Sequence, residues 1–147
     1  MTNAPHPLSR FAGAVLAAPV AGGLAAYTAT FIVAGFLALR RNEPLFPGTV
    51  QVSSILFYWA LLICLAYVLV LGTLAYALTR MRRRTLSLAT AIAIGLLAGV
   101  VPFAIASFDH GESIPSALPF PLLAALCAVA TAWTFWRLAL SPWRARE

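Results

Sequence analysis

The sequence predicts an all-α integral membrane protein, a bundle of four transmembrane helices. Three observations carry that expectation. The chain of 147 residues is 62% hydrophobic, with only 10% charged residues and a mean hydropathy of +0.91. A soluble domain usually carries about 25% charged and about 45–50% apolar residues, so this chain cannot clothe a soluble surface. The apolar residues fall into four long runs separated by short polar connectors. The formal charge of +6 comes from arginine alone and gathers beside those runs, most densely at Arg80, Arg82, Arg83 and Arg84. Guanidinium groups do not cheaply enter hydrocarbon, so that run must stay in water or among lipid headgroups. It pins the topology, with an apolar hairpin on each side.

The chain begins with a short polar tail, Met1 to Arg10, holding Pro5, His6 and Pro7. The apolar run Phe11 to Leu39 follows. It is too long for the apolar region of a cleaved signal, about 7–15 residues, and reads as an uncleaved first span. At 1.5 Å per residue it would extend about 43 Å against a hydrocarbon core of about 30 Å, so it must tilt or bend. Pro19 and the pair Gly22-Gly23 are the expected bend. Ala14, Ala18, Gly22, Ala26, Thr30, Ala34 and Ala38 recur every four residues. On a helix they form one ridge of small side chains, the kind of face that lets backbones approach closely in lipid. The ridge is expected to be buried against another helix, of this chain or of a neighbour.

Arg40-Arg41-Asn42-Glu43-Pro44 ends the first span, and Pro44, Pro47 and Gly48 mark a turn-rich connector. The second span is expected over 53–79. Phe57, Tyr58 and Trp59 near its start and Tyr76 near its end fit interfacial aromatic belts. Tyr67 lies near the middle, and a phenol at that depth should face protein.

The third span is expected over 86–108. Ser87, Ala91, Gly95 and Gly99 repeat at four, and Gly95 and Gly99 form a GxxxG packing motif. Pro102 should bend the outer part of this helix. Asp109, His110 and Glu112 follow, the one place where residue types suited to metal or acid–base work cluster. Three ligands from one short loop make an incomplete metal site, so this segment reads first as a solvated loop. Its acids could pair with Arg40 and Arg41, for about 0–1 kcal/mol if exposed.

Pro115, Pro119 and Pro121 lead into the fourth span, over 122–140, where Ala124, Ala128 and Ala132 give another small face. Trp133, Trp136 and Trp143 with Arg137, Arg144 and Arg146 mark its exit as an interfacial anchor that could touch anionic lipid. Cys64 and Cys127 sit inside apolar runs and read as small packing residues.

Four spans put both termini and the arginine run on one side. Arg10, Arg80, Arg82, Arg83, Arg84, Arg137, Arg144 and Arg146 fall there, and Arg40 and Arg41 fall opposite. The positive-inside rule then gives an N-in, C-in topology with cytoplasmic termini. Small size, the abundance of alanine and arginine and the absence of a cleavable signal point to a bacterial-type inner membrane. The two hairpins would enter in the same orientation, which does not suit an inverted-repeat transporter.

Between their flanking arginines, and Arg137 apart, the apolar runs hold no Asp, Glu, Lys, Arg or His. Proton-coupled carriers and haem-binding spans need such groups at membrane depth. No cofactor, no metal and no nucleic-acid partner is expected. The first functional expectation is a non-catalytic accessory or structural subunit. It would contact the lipid bilayer and associate with a membrane protein partner or as a homo-oligomer through the small-residue faces. A small channel or transporter for a neutral or hydrophobic solute is the alternative, with Thr30, Tyr67, Thr90, Thr131 and Thr134 as polar lining. A membrane enzyme or metal site at Asp109, His110 and Glu112 comes third. The whole chain reads as one transmembrane domain.

Overall fold

The computed structural model describes residues 7–41, 48–82, 86–109 and 119–140. The described residues form helices and no strand. Helix α1 spans Pro7–Arg40. Helix α2, Gly48–Tyr67, runs through a π-helical turn at Val68–Gly72 into α3, Thr73–Arg82, so these three make one rod. Helix α4 spans Leu88–Asp109, and α5 spans Pro119–Phe135 and ends in a second π-helical turn, Trp136–Leu140.

Leu8–Arg40, Gly48–Met81 and Pro121–Leu140 are each long and apolar enough to cross a membrane, judged by length and composition. Within α4 the stretch Leu88–Pro102 is apolar but shorter. Pro19 and Pro102, expected to bend their helices, both lie inside continuous α-helix.

The helices run antiparallel in sequence. At one end Phe11, from the start of α1, packs on Tyr76 of α3 with ring centroids 4.7 Å apart. It also meets the edge of Phe135 of α5 at 6.1 Å. At the same end the indole Nε1 of Trp136 donates a hydrogen bond of 2.7 Å to the carbonyl of Leu86, just before α4. The beginnings of α1 and α4 and the ends of α3 and α5 therefore share one end of the molecule. Arg10, Arg80 and Arg137 lie towards it, and Arg40 and Arg41 lie at the other.

Helix α1 packs against α2 along one side and α5 along the other, and α4 packs against α5. Between α2 and α4 there is no comparable seam. In cross-section the order is α2, α1, α5, α4, bent round so that its two ends face each other across a gap.

Candidate functional site: an apolar groove between the second rod and α4

Small side chains decide where the helices meet. On α1, Ala14, Ala18 and Ala26 have no exposed surface and Ala38 retains 8%. Gly22 is buried in the same line, while Thr30 and Ala34 are half-buried. The period-four ridge faces α2 and α5 within this chain. It divides into two clusters. Ala14 and Ala18 pack with Val68 and Phe135. Ala26 packs with Cys64 and Cys127.

Gly22 marks the tightest crossing. A Cβ built there would collide with Thr131 Oγ1, would lie 2.7 Å from Cys64 Sγ and would lie 3.4 Å from the Cys127 carbonyl oxygen. Three helices meet where one residue has no side chain. At the neighbouring Gly23 the ring of Phe57 fills the space, 3.0 Å from where a Cβ would stand. Glycine here acts through close approach of neighbours, which favours dispersion contacts in a medium that gives helices no hydrophobic reason to associate.

The GxxxG motif of α4 works the same way against α5. A Cβ at Gly95 would lie 3.0 Å from Ala132 Cβ, and one at Gly99 would lie 3.0 Å from Ala128 Cβ. Gly95 and Gly99 thus lie on the alanine face of α5.

The two π-helical turns face this packing at the arginine-rich end. A Cβ at Gly72, inside the first, would stand 3.0 Å from the Phe135 ring. Phe135 immediately precedes the second turn and is 6% exposed. A π turn inserts an extra residue and rotates the face that follows, and such turns are frequent at functional sites. Val68 and Gly72, both buried at the two ends of the first turn, meet Phe135 from one side of the rod.

What remains between the second rod and α4 is a groove of about 360 Å³, floored by α5. Ile63, Tyr67 and Ala75 stand on one wall, Ala91 and Ala98 on the other, and Ala128 on the floor. Its lining is almost wholly apolar; Trp59, Cys64, Tyr67, Cys127 and Thr131 carry the polar side-chain atoms. A volume of this order lies within the range of about 300–1,000 Å³ of small-molecule sites.

Of the five hydroxyl residues read as polar lining, Tyr67 and Thr131 line this groove. The Thr30 hydroxyl instead donates back to the Ala26 carbonyl at 2.7 Å, within its own helix. Thr90 pairs with Ser87 at 2.8 Å at the exposed start of α4. Thr134 is half-buried on α5 outside the groove. Ser53, which the sequence did not single out, is fully buried, and its Oγ has no hydrogen-bond partner among the described residues.

Three arginines stand over an aromatic ring one helical turn earlier: Arg40 over Phe36 at 5.4 Å, Arg80 over Tyr76 at 5.9 Å and Arg137 over Trp133 at 5.2 Å. Arg80 Nη1 also donates to Tyr76 Oη at 3.3 Å. Arg82 ends α3. Arg83, Arg84, Arg144 and Arg146 lie outside the described residues, as do His110 and Glu112, and Asp109 is described only as the last residue of α4. Both cysteines are buried free thiols. Among the described residues no group of His, Cys, Asp and Glu is arranged to hold a metal.

The groove was not legible in the sequence. Its signal is a mismatch of faces: α1 and α4 each carry a ridge of small residues, and α5 meets both. The second rod carries Ile63, Tyr67 and Leu71 towards α4, too bulky for close approach. Comparison of the chain with protein-family models, curated proteins and solved structures gives no match.

Proposed function

We propose that this chain is a non-catalytic, four-span protein of a bacterial-type inner membrane, with both termini and the arginine run cytoplasmic, and that its working part is the open groove. In that role it is an accessory protein that binds an apolar or amphiphilic constituent of the membrane. The observation that carries the reading is the missing seam. Close packing joins α2 to α1, α1 to α5 and α5 to α4, and leaves an apolar groove where α2 and α4 would otherwise meet. Protein interiors are normally filled to crystal-like density, so an apolar groove of this size invites an apolar occupant.

This reading moves the binding surface away from the small-residue ridges, because α1 and α4 use theirs against their own neighbours. Saturable binding of a neutral lipophilic fluorophore to the protein in detergent tests it. Binding should be lost when the wall is filled by Ala91→Leu or Ala98→Leu. Partition of the dye that never saturates, or that ignores both variants, would rule the groove out as a site.

A second reading, association with a partner protein or a second copy, is favoured by a separate feature. Leu16, Val20 and Leu24 form an exposed ridge at period four on the side of α1 away from its small residues. Crosslinking in native membranes through Val20→Cys tests it. A species that stays monomeric at every reagent concentration would count decisively against association by this face.

A further inference from the structure

We infer that the occupant of the groove is an anionic phospholipid, one acyl chain lying between the second rod and α4 and the phosphate at the Arg80–Arg82 end of α3. The inference rests on the groove reading above and adds the chemistry of the ligand. Its first support is shape. Groove residues on the second rod run from Leu56 to Ala75. At 1.5 Å per residue that is about 28 Å, close to the hydrocarbon thickness of about 30 Å. A chain entering from one leaflet needs about half of that length, and a slot with an apolar lining and a volume of about 360 Å³ has room for it. A partner helix, about 10–12 Å across with its side chains, needs far more room.

Its second support is charge. The groove reaches Ala75 on one wall and Leu86 beside the other. Beyond Ala75 the helix carries Arg80 and Arg82, and the sequence between Ala75 and Leu86 contains no acid. Among side chains, the sequence offers carboxylates at Glu43, Asp109, Glu112 and Glu147. Asp109, the one acid among the described residues, ends α4 at the far end of the molecule. Among the described residues no carboxylate stands at this end of the groove, and a phosphate would give Arg80 its counter-charge. The Arg80 guanidinium is already held over Tyr76, which fixes one cation at that level. A zwitterionic lipid would gain the same chain contacts but less from the arginines, so the site should select by headgroup charge.

The test is native mass spectrometry of the full chain released from nanodiscs. These hold phosphatidylglycerol and phosphatidylcholine with identical acyl chains in equal amounts. The unmodified protein should retain one phosphatidylglycerol in preference to phosphatidylcholine by about 30-fold, the scale of two basic side chains at an anionic surface. The double variant Arg80→Gln/Arg82→Gln should retain one lipid with that preference close to parity. Ala98→Leu should lose the retained lipid of either kind, and Ala91→Leu, on another turn of the same wall, guards against misfolding of the first. Equal retention of the two lipids by the unmodified protein, with loss in Ala98→Leu, would overturn the charge argument and leave the groove reading intact. Retention that ignores both wall variants would overturn both. A co-released polypeptide in place of the lipid would overturn the choice of occupant.

Discussion

The crossing at Gly22 and the groove between the second rod and α4 lie at similar depth and are built of similar residues, yet one is closed and the other open. At the crossing, α1 presents an uninterrupted small ridge, and the side chains opposite, Cys64 and Thr131, are themselves small. Backbones approach until hydrogens of Gly22 touch a thiol and a hydroxyl. In the groove, the small face of α4 is already applied to Ala128 and Ala132, and the second rod offers bulky side chains instead. Packing in lipid is decided by which pair of faces fits most closely. Once those pairs have formed, what is left over remains open.

That contrast can be broken most forcefully at the crossing. Gly22→Leu should cost about 3 kcal/mol or more, since overpacking a tight site forces backbone shifts and here the opposing atoms include a carbonyl of the neighbouring helix. The unfolding midpoint in detergent should fall sharply, with loss of folded protein at ordinary growth temperature. Next, Phe135→Ala should cost about 2 kcal/mol. This is below the roughly 3–5 kcal/mol of a soluble core, because in lipid the penalty is mostly lost packing against Val68 and Gly72. Gly99→Leu should act locally. It should release α4 from α5 and speed proteolysis or hydrogen exchange in α4, while α1 and α2 keep their protection. Trp136→Phe should be milder, about 1 kcal/mol, through loss of the bond to the Leu86 carbonyl. Gly13→Ala should do least. No atom lies within 4 Å of a Cβ there, so the change should be neutral or stabilising by up to about 1 kcal/mol from helix propensity. A large loss from Gly13→Ala, or none from Gly22→Leu, would invert the comparison.

Much of the helical outline was written in the sequence, because long apolar runs and their arginine borders report directly on what lipid tolerates. The expected spans 53–79 and 122–140 coincide with helix, although helix continues beyond them to Gly48 and Arg82 and back to Pro119. Periodicity also pointed to the faces of α1, α4 and α5 that make contact. Other features depend on which faces meet, and periodicity along one helix holds no information about pairing. Gly22 was read both in a bend and in the small ridge, but which atoms it would meet, Thr131, Cys64 and the Cys127 carbonyl, depends on the pairing of helices. The π-helical turns left no sequence mark, since Val68–Gly72 is as apolar as its neighbours. Gly72 shows its purpose only beside Phe135, which lies more than sixty residues away. The Cys64, Cys127 and Ala26 cluster was visible only as two isolated thiols. The groove itself is a property of absent contacts, which residue spacing cannot report.

Disulfide crosslinking of introduced cysteine pairs, in a background carrying Cys64→Ser and Cys127→Ser, asks most directly whether one seam is closed and the other open. The pair Gly99→Cys/Ala128→Cys spans α4 and α5 with a Cβ separation of 3.0 Å, a little closer than in natural disulfides, about 3.8 Å. The pair Ile63→Cys/Ala98→Cys faces across the groove. The first pair should crosslink rapidly in native membranes and the second not at all. Equal reaction at both pairs would mean that α2 and α4 close on each other, and the groove with everything argued from it would be wrong.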